Sequence, residues 1–99
     1  METSRPISVL IVDDHQMFAD GLKSLLELKK EIYHVHSAPN AEEALGFIKN
    51  KSVSLILTDI ALPGMNGIAF TRKIKQQNPK QPILVISCLL YTSPSPRDA

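Results

Sequence analysis

The stretch SVLIVDD, residues 8–14, decides how the rest of the chain can fold. Its first five residues form a short apolar, largely β-branched run, which is typical of a strand buried on both faces of a sheet. A second run of the same kind, VSLILTD at residues 53–59, also ends in an acid, Asp59. We therefore predict two buried strands whose carboxyl ends both carry negative charge.

Helical patterns follow each of these runs, and another lies between them. Asn40, followed by AEEAL, can cap the free N–H groups at the start of the middle helix. Asn78 and Pro79 end the last helix. The residues that mark the three helices by their spacing are Phe18, Leu22, Leu25 and Leu26 in the first, Ala41, Ala44, Leu45 and Ile48 in the second, and Phe70, Thr71 and Ile74 in the third.

Two further strands complete the alternation. Residues 33–37 alternate with period two, which indicates a strand with one wetter face, as at a sheet edge. The apolar run PILVIS, residues 82–87, is the fourth strand. Strands separated by helices of this size predict right-handed βαβ units. We therefore expect an α/β fold, with a parallel sheet covered by helices on both faces.

Composition narrows the class of protein. The 99 residues, 43% of them hydrophobic, suit one small globular domain. A formal net charge of +1 gives no reason to expect a nucleic-acid or membrane surface. The sequence shows neither a signal peptide nor an apolar stretch long enough to span a membrane. Because the single cysteine, Cys88, cannot form an internal disulfide, we expect a cytoplasmic protein.

Three carboxylates indicate the chemistry of the site: Asp13, Asp14 and Asp59. If the first and third strands are neighbours, these acids converge at the carboxyl ends of the strands, where parallel sheets bind ligands. Two such charges repel by about 4 kcal/mol at ~4 Å and an effective dielectric of ~20, which a divalent cation would relieve. Mg²⁺ prefers oxygen ligands, and aspartate is a known phosphoryl acceptor. Acids at strand ends can also simply form turns or cap helices.

Three segments in this order resemble the receiver domains of two-component response regulators: VLIVDDH, LILTDIALPGMNG and PILVIS. The resemblance covers residues 7–87, and the stretch that begins DDHQMF is most similar to the NarL/FixJ-like subfamily with a LuxR-type helix-turn-helix output. It implies a flavodoxin-like fold and a phosphorelay function, with Mg²⁺ as cofactor. It also implies that the fourth helix, fifth strand and fifth helix of the family lie outside this chain.

The resemblance assigns roles to individual residues. Asp59 corresponds to the phosphorylated aspartate, Asp14 to the direct Mg²⁺ ligand and Asp13 to the acid that holds the metal through water. The backbone carbonyl of Ala61 corresponds to a further ligand, and Ser87 to the switch hydroxyl that contacts the phosphoryl group. Pro63 and Gly64 shape the loop behind the site. The family's lysine after the fifth strand has no counterpart, because no lysine follows Lys80.

The resemblance also implies partners. A sensor histidine kinase would donate the phosphoryl group, and the intact protein could form a receiver homodimer. DNA would be bound only through an output domain that this chain lacks, and no membrane partner is expected. The chain would therefore be a phosphoacceptor and not a turnover enzyme. An alternative is a Mg²⁺-dependent phosphohydrolase with an aspartyl nucleophile, although such enzymes place a D-x-D motif after the first strand. A receiver-like scaffold that is never phosphorylated is a third possibility.

The remaining features are assigned no role in the site. Residues 88–99, CLLYTSPSPRDA, resemble a translated sequencing-library adapter, so we expect residues 1–87 to form the partial domain and the tail to be non-native. His15 is expected to be a loop or cap residue, since Mg²⁺ prefers oxygen. His34 and His36 are expected at the surface, without a third ligand.

Overall fold

The computed structural model describes residues 7–30 and 32–86, and β-strands alternate with α-helices along the whole of that range. Among these residues, seven elements follow one another: β1 (Ile7–Val12), α1 (Gln16–Leu26), β2 (Ile32–Ala38), α2 (Ala41–Asn50), β3 (Leu55–Asp59), α3 (Gly67–Gln77) and β4 (Ile83–Ile86). The predicted alternation is confirmed. The third and fourth strands begin later than expected, at Leu55 and Ile83.

All pairs of neighbouring strands are parallel, and the strand order is β2-β1-β3-β4. The first and third strands are therefore neighbours, and β2 lies at an edge, as its alternating sequence indicates. The order reverses direction at β1, because the chain moves from β1 outward to β2 and then returns to the other side for β3. This is the parallel α/β fold that the sequence predicts.

The sheet is buried on both faces by different helices. Leu10, Val12 and Ile56 pack with α2 and α3 on one face, where Phe70 is completely buried. Val9, Ile11 and Leu57 pack with α1 on the other face. Successive residues from Val9 to Val12 thus enter opposite cores, which explains why this part of β1 is apolar and does not alternate with polar residues.

One part of the predicted helix pattern is wrong. Leu25 is 64% exposed, although its spacing places it in the apolar stripe of α1. The helix instead contacts the sheet with a narrower line of side chains, formed by Ala19, Leu22 and Leu26. Met17 is also exposed, so α1 presents a second apolar face to solvent.

The start of α3 is packed directly against the end of β3. The N–H of Gly67 donates a 2.8 Å hydrogen bond to the carbonyl of Ile60. A Cβ atom at position 67 would collide with the backbone oxygen of Asp59 and would lie 2.8 Å from the Cα of Ile60. Because both obstacles are backbone atoms, only glycine allows this close approach.

We expect Gly67→Ala to lower the free energy of unfolding by about 1–3 kcal/mol, since the backbone after β3 would have to move. The matched control is Gly46→Ala, where no atom lies within 4 Å of the added Cβ. That change should stabilise α2 by about 1 kcal/mol, because alanine favours helix more than glycine does. Denaturant unfolding followed by circular dichroism measures both effects. Equal stability of Gly67→Ala and the unmodified chain would contradict the packing argument.

Candidate functional site

Strand pairing brings the predicted acids together at the carboxyl ends of β1 and β3. Val12 on β1 pairs with Thr58 on β3, so Asp13 and Asp59 each lie one residue beyond a matched pair. The N–H of Asp13 donates to the carbonyl of Ala38, at the end of β2, over 3.0 Å. The acids therefore occupy the carboxyl ends of the central strands, next to the point where the strand order reverses.

The three acids differ in burial. Asp13 and Asp59 are 4% and 1% exposed, whereas the side chain of Asp14 is 42% exposed. The buried pair is fixed by its strands, and the exposed acid closes the cluster from the solvent side. A cation entering from water would therefore meet Asp14 first and then the two buried carboxylates.

His15 contributes a nitrogen to the same cluster. Its backbone N–H and its ring Nδ1 both lie 2.8 Å from Oδ1 of Asp13. The same Nδ1 lies 3.3 Å from Oδ1 of Asp14 and 3.6 Å from Oδ2 of Asp59. His15 is the N-cap residue of α1, as expected, although its side chain makes no capping hydrogen bond. The position of the ring among the acids is not apparent from the sequence, which led us to expect only a loop or cap role.

The acids around the imidazole raise the pKa of His15 above its ordinary value. The largest cause is the side-chain hydrogen bond with Asp13, followed by the negative charge of that carboxylate. Asp14 and Asp59 act in the same direction, while desolvation of the ring opposes them. The protonated form of His15 is therefore favoured where negative charge is concentrated.

Asp59 has one carboxylate oxygen that is satisfied and one that is not. Oδ1 accepts a 3.2 Å hydrogen bond from the N–H of Ala61. Oδ2 is fully buried and has no hydrogen-bond partner. A buried polar atom without a partner costs free energy, so it points to a ligand that this oxygen would meet.

The residues present fit a divalent cation. Asp13, Asp14, His15 and Asp59 each offer one ligand atom, and these atoms all lie within 4.8 Å of one another. Three of the four are carboxylates, which are oxygen ligands of the kind that Mg²⁺ binds. Together with the unpartnered Oδ2, this donor set matches the predicted cofactor.

The loop after β3 follows the predicted turn. Gly64 has a φ of 79°, a left-handed conformation that glycine adopts without strain. The side chain of Asn66 then caps α3 by accepting from the N–H of Ala69 over 2.9 Å. The N–H of Ile60 donates to the carbonyl of Ile86 over 2.8 Å, which ties the start of the loop to β4.

The other predicted site residues remain untested. Ile86 pairs in register with Asp59, so the last described residue of β4 lies beside the end of β3. Ser87 and the segment 88–99 lie outside the described residues. The roles of the Ala61 carbonyl and of Ser87 stay predictions.

The two remaining histidines lie elsewhere. His34 is exposed, as expected, and its ring centroid is 5.2 Å from that of His36. His36 is half-buried against Phe47, with the ring centroids 4.7 Å apart. Within residues 7–30 and 32–86 these histidines belong to no group of three metal-ligating side chains. In the same range, no helix is long and apolar enough to cross a membrane.

Comparison with known sequences gives consistent results. The family described as response regulator receiver domain matches residues 9–92. The transcriptional regulatory protein DegU of Brevibacillus brevis is 35% identical over 81 residues, which are 82% of this chain and 34% of DegU. The nitrate/nitrite response regulator protein NarL of Escherichia coli is 32% identical over 87 residues, 88% of this chain and 40% of NarL. The chain thus spans between a third and two fifths of these regulators.

A further relative is named as an enzyme and not as a transcriptional or response regulator. A protein-glutamate methylesterase/protein-glutamine glutaminase of Pseudomonas aeruginosa is 37% identical over 84 residues, covering 85% of this chain and 24% of the enzyme. Among solved structures, the signal receiver domain of an HD domain-containing protein from Pseudomonas fluorescens superimposes with a TM-score of 0.78. It is 28% identical, and the match covers 84% of this chain and 65% of that one. With its parallel sheet and its acidic cluster at the strand ends, the chain belongs to the response regulator receiver domain family of two-component systems.

Proposed function

We propose that Asp59 accepts a phosphoryl group from the phosphohistidine of a sensor histidine kinase, and that this chain is the phosphorylation switch of a transcriptional regulator. The observation that carries the proposal is the buried Oδ2 of Asp59, which lacks a hydrogen-bond partner. It belongs to a cluster in which two other carboxylates supply negative charge. An oxygen in this situation is available as a nucleophile, because no donor holds its lone pairs.

The neighbouring backbone orients the nucleophile. The N–H of Ala61 holds Oδ1 of Asp59, so the carboxylate cannot rotate freely and Oδ2 stays turned toward Asp14 and His15. In the transfer, an oxygen–phosphorus bond forms at Asp59 while the phosphorus–nitrogen bond of the donor breaks, and the donor imidazole leaves with its electron pair. The result is an acyl phosphate that carries about −1.5 to −2 charges.

The metal would be held by Asp13, Asp14, Asp59 and the backbone carbonyl of Ala61, with Asp13 acting through water. When bound, Mg²⁺ neutralises charge on the acids and on the transferring phosphoryl group. Asp13 is anchored by β1 and by its backbone hydrogen bond to Ala38, whereas exposed Asp14 can adjust to the incoming ion. This division suits a site that must exchange its ligands with water.

The remaining parts of the switch are proposals of the same kind. The hydroxyl of Ser87 would donate to a phosphoryl oxygen, at a position that directly follows the partner of Asp59 on β4. The intact protein would act in the cytoplasm, through a homodimer and a DNA-binding output domain outside this chain.

We also propose that residues 88–99 are not native, and sequencing the genomic DNA beyond the Ser87 codon decides this.

The chain would not be a turnover enzyme, although it assists its own phosphorylation. Nothing in the geometry or in the comparisons favours the phosphohydrolase alternative, because Asp59, the proposed nucleophile, follows the third strand and the first strand ends in adjacent acids. The two functions differ in stoichiometry. A receiver is labelled once per chain, whereas a phosphohydrolase continues to release phosphate from a generic ester.

We expect incubation with a small acyl phosphate and Mg²⁺ to add one phosphoryl group to Asp59, and Asp59→Asn to abolish the addition. Intact-mass spectrometry and peptide mapping measure it. The control is Asp20→Asn, because Asp20 is an exposed acid of α1 that contacts Gln16 and lies outside the cluster. Omission of Mg²⁺ should slow labelling strongly. Labelling of Asp59→Asn to the same extent as the unmodified chain would refute the proposal.

We further expect Asp59→Asn to stabilise the metal-free chain by about 1–3 kcal/mol, because it removes a buried carboxylate charge with one oxygen that has no hydrogen-bond partner. Added Mg²⁺ should raise the melting temperature of the unmodified chain and should have much less effect on the variant. Thermal unfolding in chelator and in Mg²⁺ measures both, again with Asp20→Asn as control. A destabilised Asp59→Asn in chelator would mean that the carboxylate has a structural role.

A further inference from the structure

His34 and His36 lie on one face of the edge strand β2, because side chains two residues apart in a strand point the same way. Their ring centroids are 5.2 Å apart. His34 pairs in register with Ser8, near the start of β1, whereas the acids follow the carboxyl ends of β1 and β3. The two histidines thus form a second cluster of metal-ligating side chains, which the proposed phosphorylation does not use.

We propose that His34 and His36 chelate one Zn²⁺ ion, with water molecules as its remaining ligands. Imidazole nitrogen is a favourable ligand for zinc, whereas Mg²⁺ prefers oxygen. The pair would therefore take a different class of metal from the acidic cluster. It would bind zinc whether or not Asp59 carries a phosphoryl group.

The spacing of the two rings fits a shared ion. With Zn–N distances of about 2.0–2.1 Å and tetrahedral angles, two imidazoles on one zinc ion have centroids roughly 5 Å apart. The observed separation of 5.2 Å agrees with this value. The parallel ladder holds β2 against β1, since His34 pairs with Ser8 and His36 with Leu10. Both ligands therefore stand on a rigid strand, which positions side chains more precisely than a loop does.

The ring of His36 is held in place and has a lone pair to offer. It packs against Phe47 of α2, with the ring centroids 4.7 Å apart. Within residues 7–30 and 32–86, no hydrogen bond is made to either ring nitrogen of His36. Burial lowers the pKa of this imidazole, and a charged His34 acts in the same direction. His36 is therefore mainly neutral at pH 7, and the neutral imidazole is the form that binds a metal.

A cavity beside the pair leaves room for the remaining ligands. It has a volume of about 200 Å³, and both histidines line it together with the hydroxyl-bearing residues Ser8 and Ser52. A water molecule takes up about 30 Å³, so the cavity accommodates a metal ion and two waters. Two imidazoles and two waters fill the four positions of a tetrahedral zinc ion. Serine hydroxyls can donate to such waters or accept from them.

Lys51 opposes the binding of a cation, and this gives the site a distinct signature. It lines the same cavity, and after burial and His34 its positive charge is the next cause of the lowered pKa of His36. Because Lys51 is exposed, water and salt weaken the repulsion. Removal of this charge should strengthen the binding of a metal ion, whereas it would weaken the binding of an anion in the same cavity.

The competing explanation is that the rings only pack together. His34, His36 and Phe47 form a row of rings, and such a row covers the surface of α2 without any ligand. The two explanations differ in whether both imidazoles respond to zinc together. A loss of stability in a histidine variant does not separate them, because either role would produce it.

The experiment titrates Zn²⁺ into the 99-residue chain with the changes His15→Gln and Cys88→Ser, and follows the imidazole proton signals by NMR. These changes remove the third histidine and the only thiol of the sequence, and excess Mg²⁺ occupies the acidic cluster. We expect the signals of His34 and His36 to shift together and to saturate at one Zn²⁺ per chain. A shift of one ring alone, or of neither, would overturn the proposal.

Calorimetry on the same background measures what each residue contributes. We expect His34→Gln to weaken Zn²⁺ binding by roughly tenfold or more, because the second imidazole of a chelate binds at high effective concentration. His34 is exposed, so this variant should keep its fold, which circular dichroism checks. Lys51→Gln should strengthen Zn²⁺ binding by roughly twofold to fivefold. Unchanged Zn²⁺ affinity in His34→Gln, or weaker binding in Lys51→Gln, would contradict chelation by the pair.

The zinc site and the phosphorylation of Asp59 fail on separate measurements. His34→Gln should still be labelled at Asp59 by a small acyl phosphate with Mg²⁺. Asp59→Asn should not be labelled, but it should still bind Zn²⁺ through the two histidines. Loss of Zn²⁺ binding in Asp59→Asn would place the ion in the acidic cluster and overturn the proposal.

Discussion

The parallel pairing of β1 with β3 is the constraint on which the rest of the molecule depends. Because Val12 and Thr58 are in register, the two chains leave the sheet at the same level and deliver Asp13 and Asp59 to one place. Both carboxylates are almost completely buried there. The cluster is thus a consequence of strand order, and neither acid could be moved without changing the sheet.

Repulsion between these clustered carboxylates destabilises the folded chain. The structure shows which contacts reduce this repulsion. Asp13 receives hydrogen bonds from His15, and Asp59 receives one from the N–H of Ala61, but the second oxygen of Asp59 has none. These acids raise the pKa of His15, and protonation of its imidazole compensates part of their charge from the solvent side. A cation would compensate the same charges more fully. The negative charge of the site is therefore only partly compensated. Binding of a cation would raise the free energy of unfolding of the domain.

The sequence predicted the parts of the molecule that depend on local pattern. Apolar runs, caps and a turn-forming Pro-Gly pair were sufficient for the alternation of strands and helices and for the position of the acids. The exposure of Leu25 was not predicted, because helical spacing does not indicate the width of the helix surface that contacts the sheet. His15 escaped because a ring beside two acids can turn toward solvent or toward the strand ends. The close approach of Gly67 to the backbone of Asp59 and Ile60 depends on tertiary packing. The spacing of apolar residues in the sequence does not predict such packing.

The backbone around Ile60 connects the acidic cluster with the rest of the domain. Its N–H donates to the carbonyl of Ile86 on β4, and its carbonyl accepts from the N–H of Gly67 at the start of α3. These bonds begin at the residue after Asp59, so the backbone that leaves β3 is hydrogen-bonded to both β4 and α3. No space for a side chain is left at position 67, because an added Cβ would meet the backbone of Asp59 and Ile60. A negative group added at Asp59, as proposed above, would therefore lie one residue from the backbone contacts of both β4 and α3.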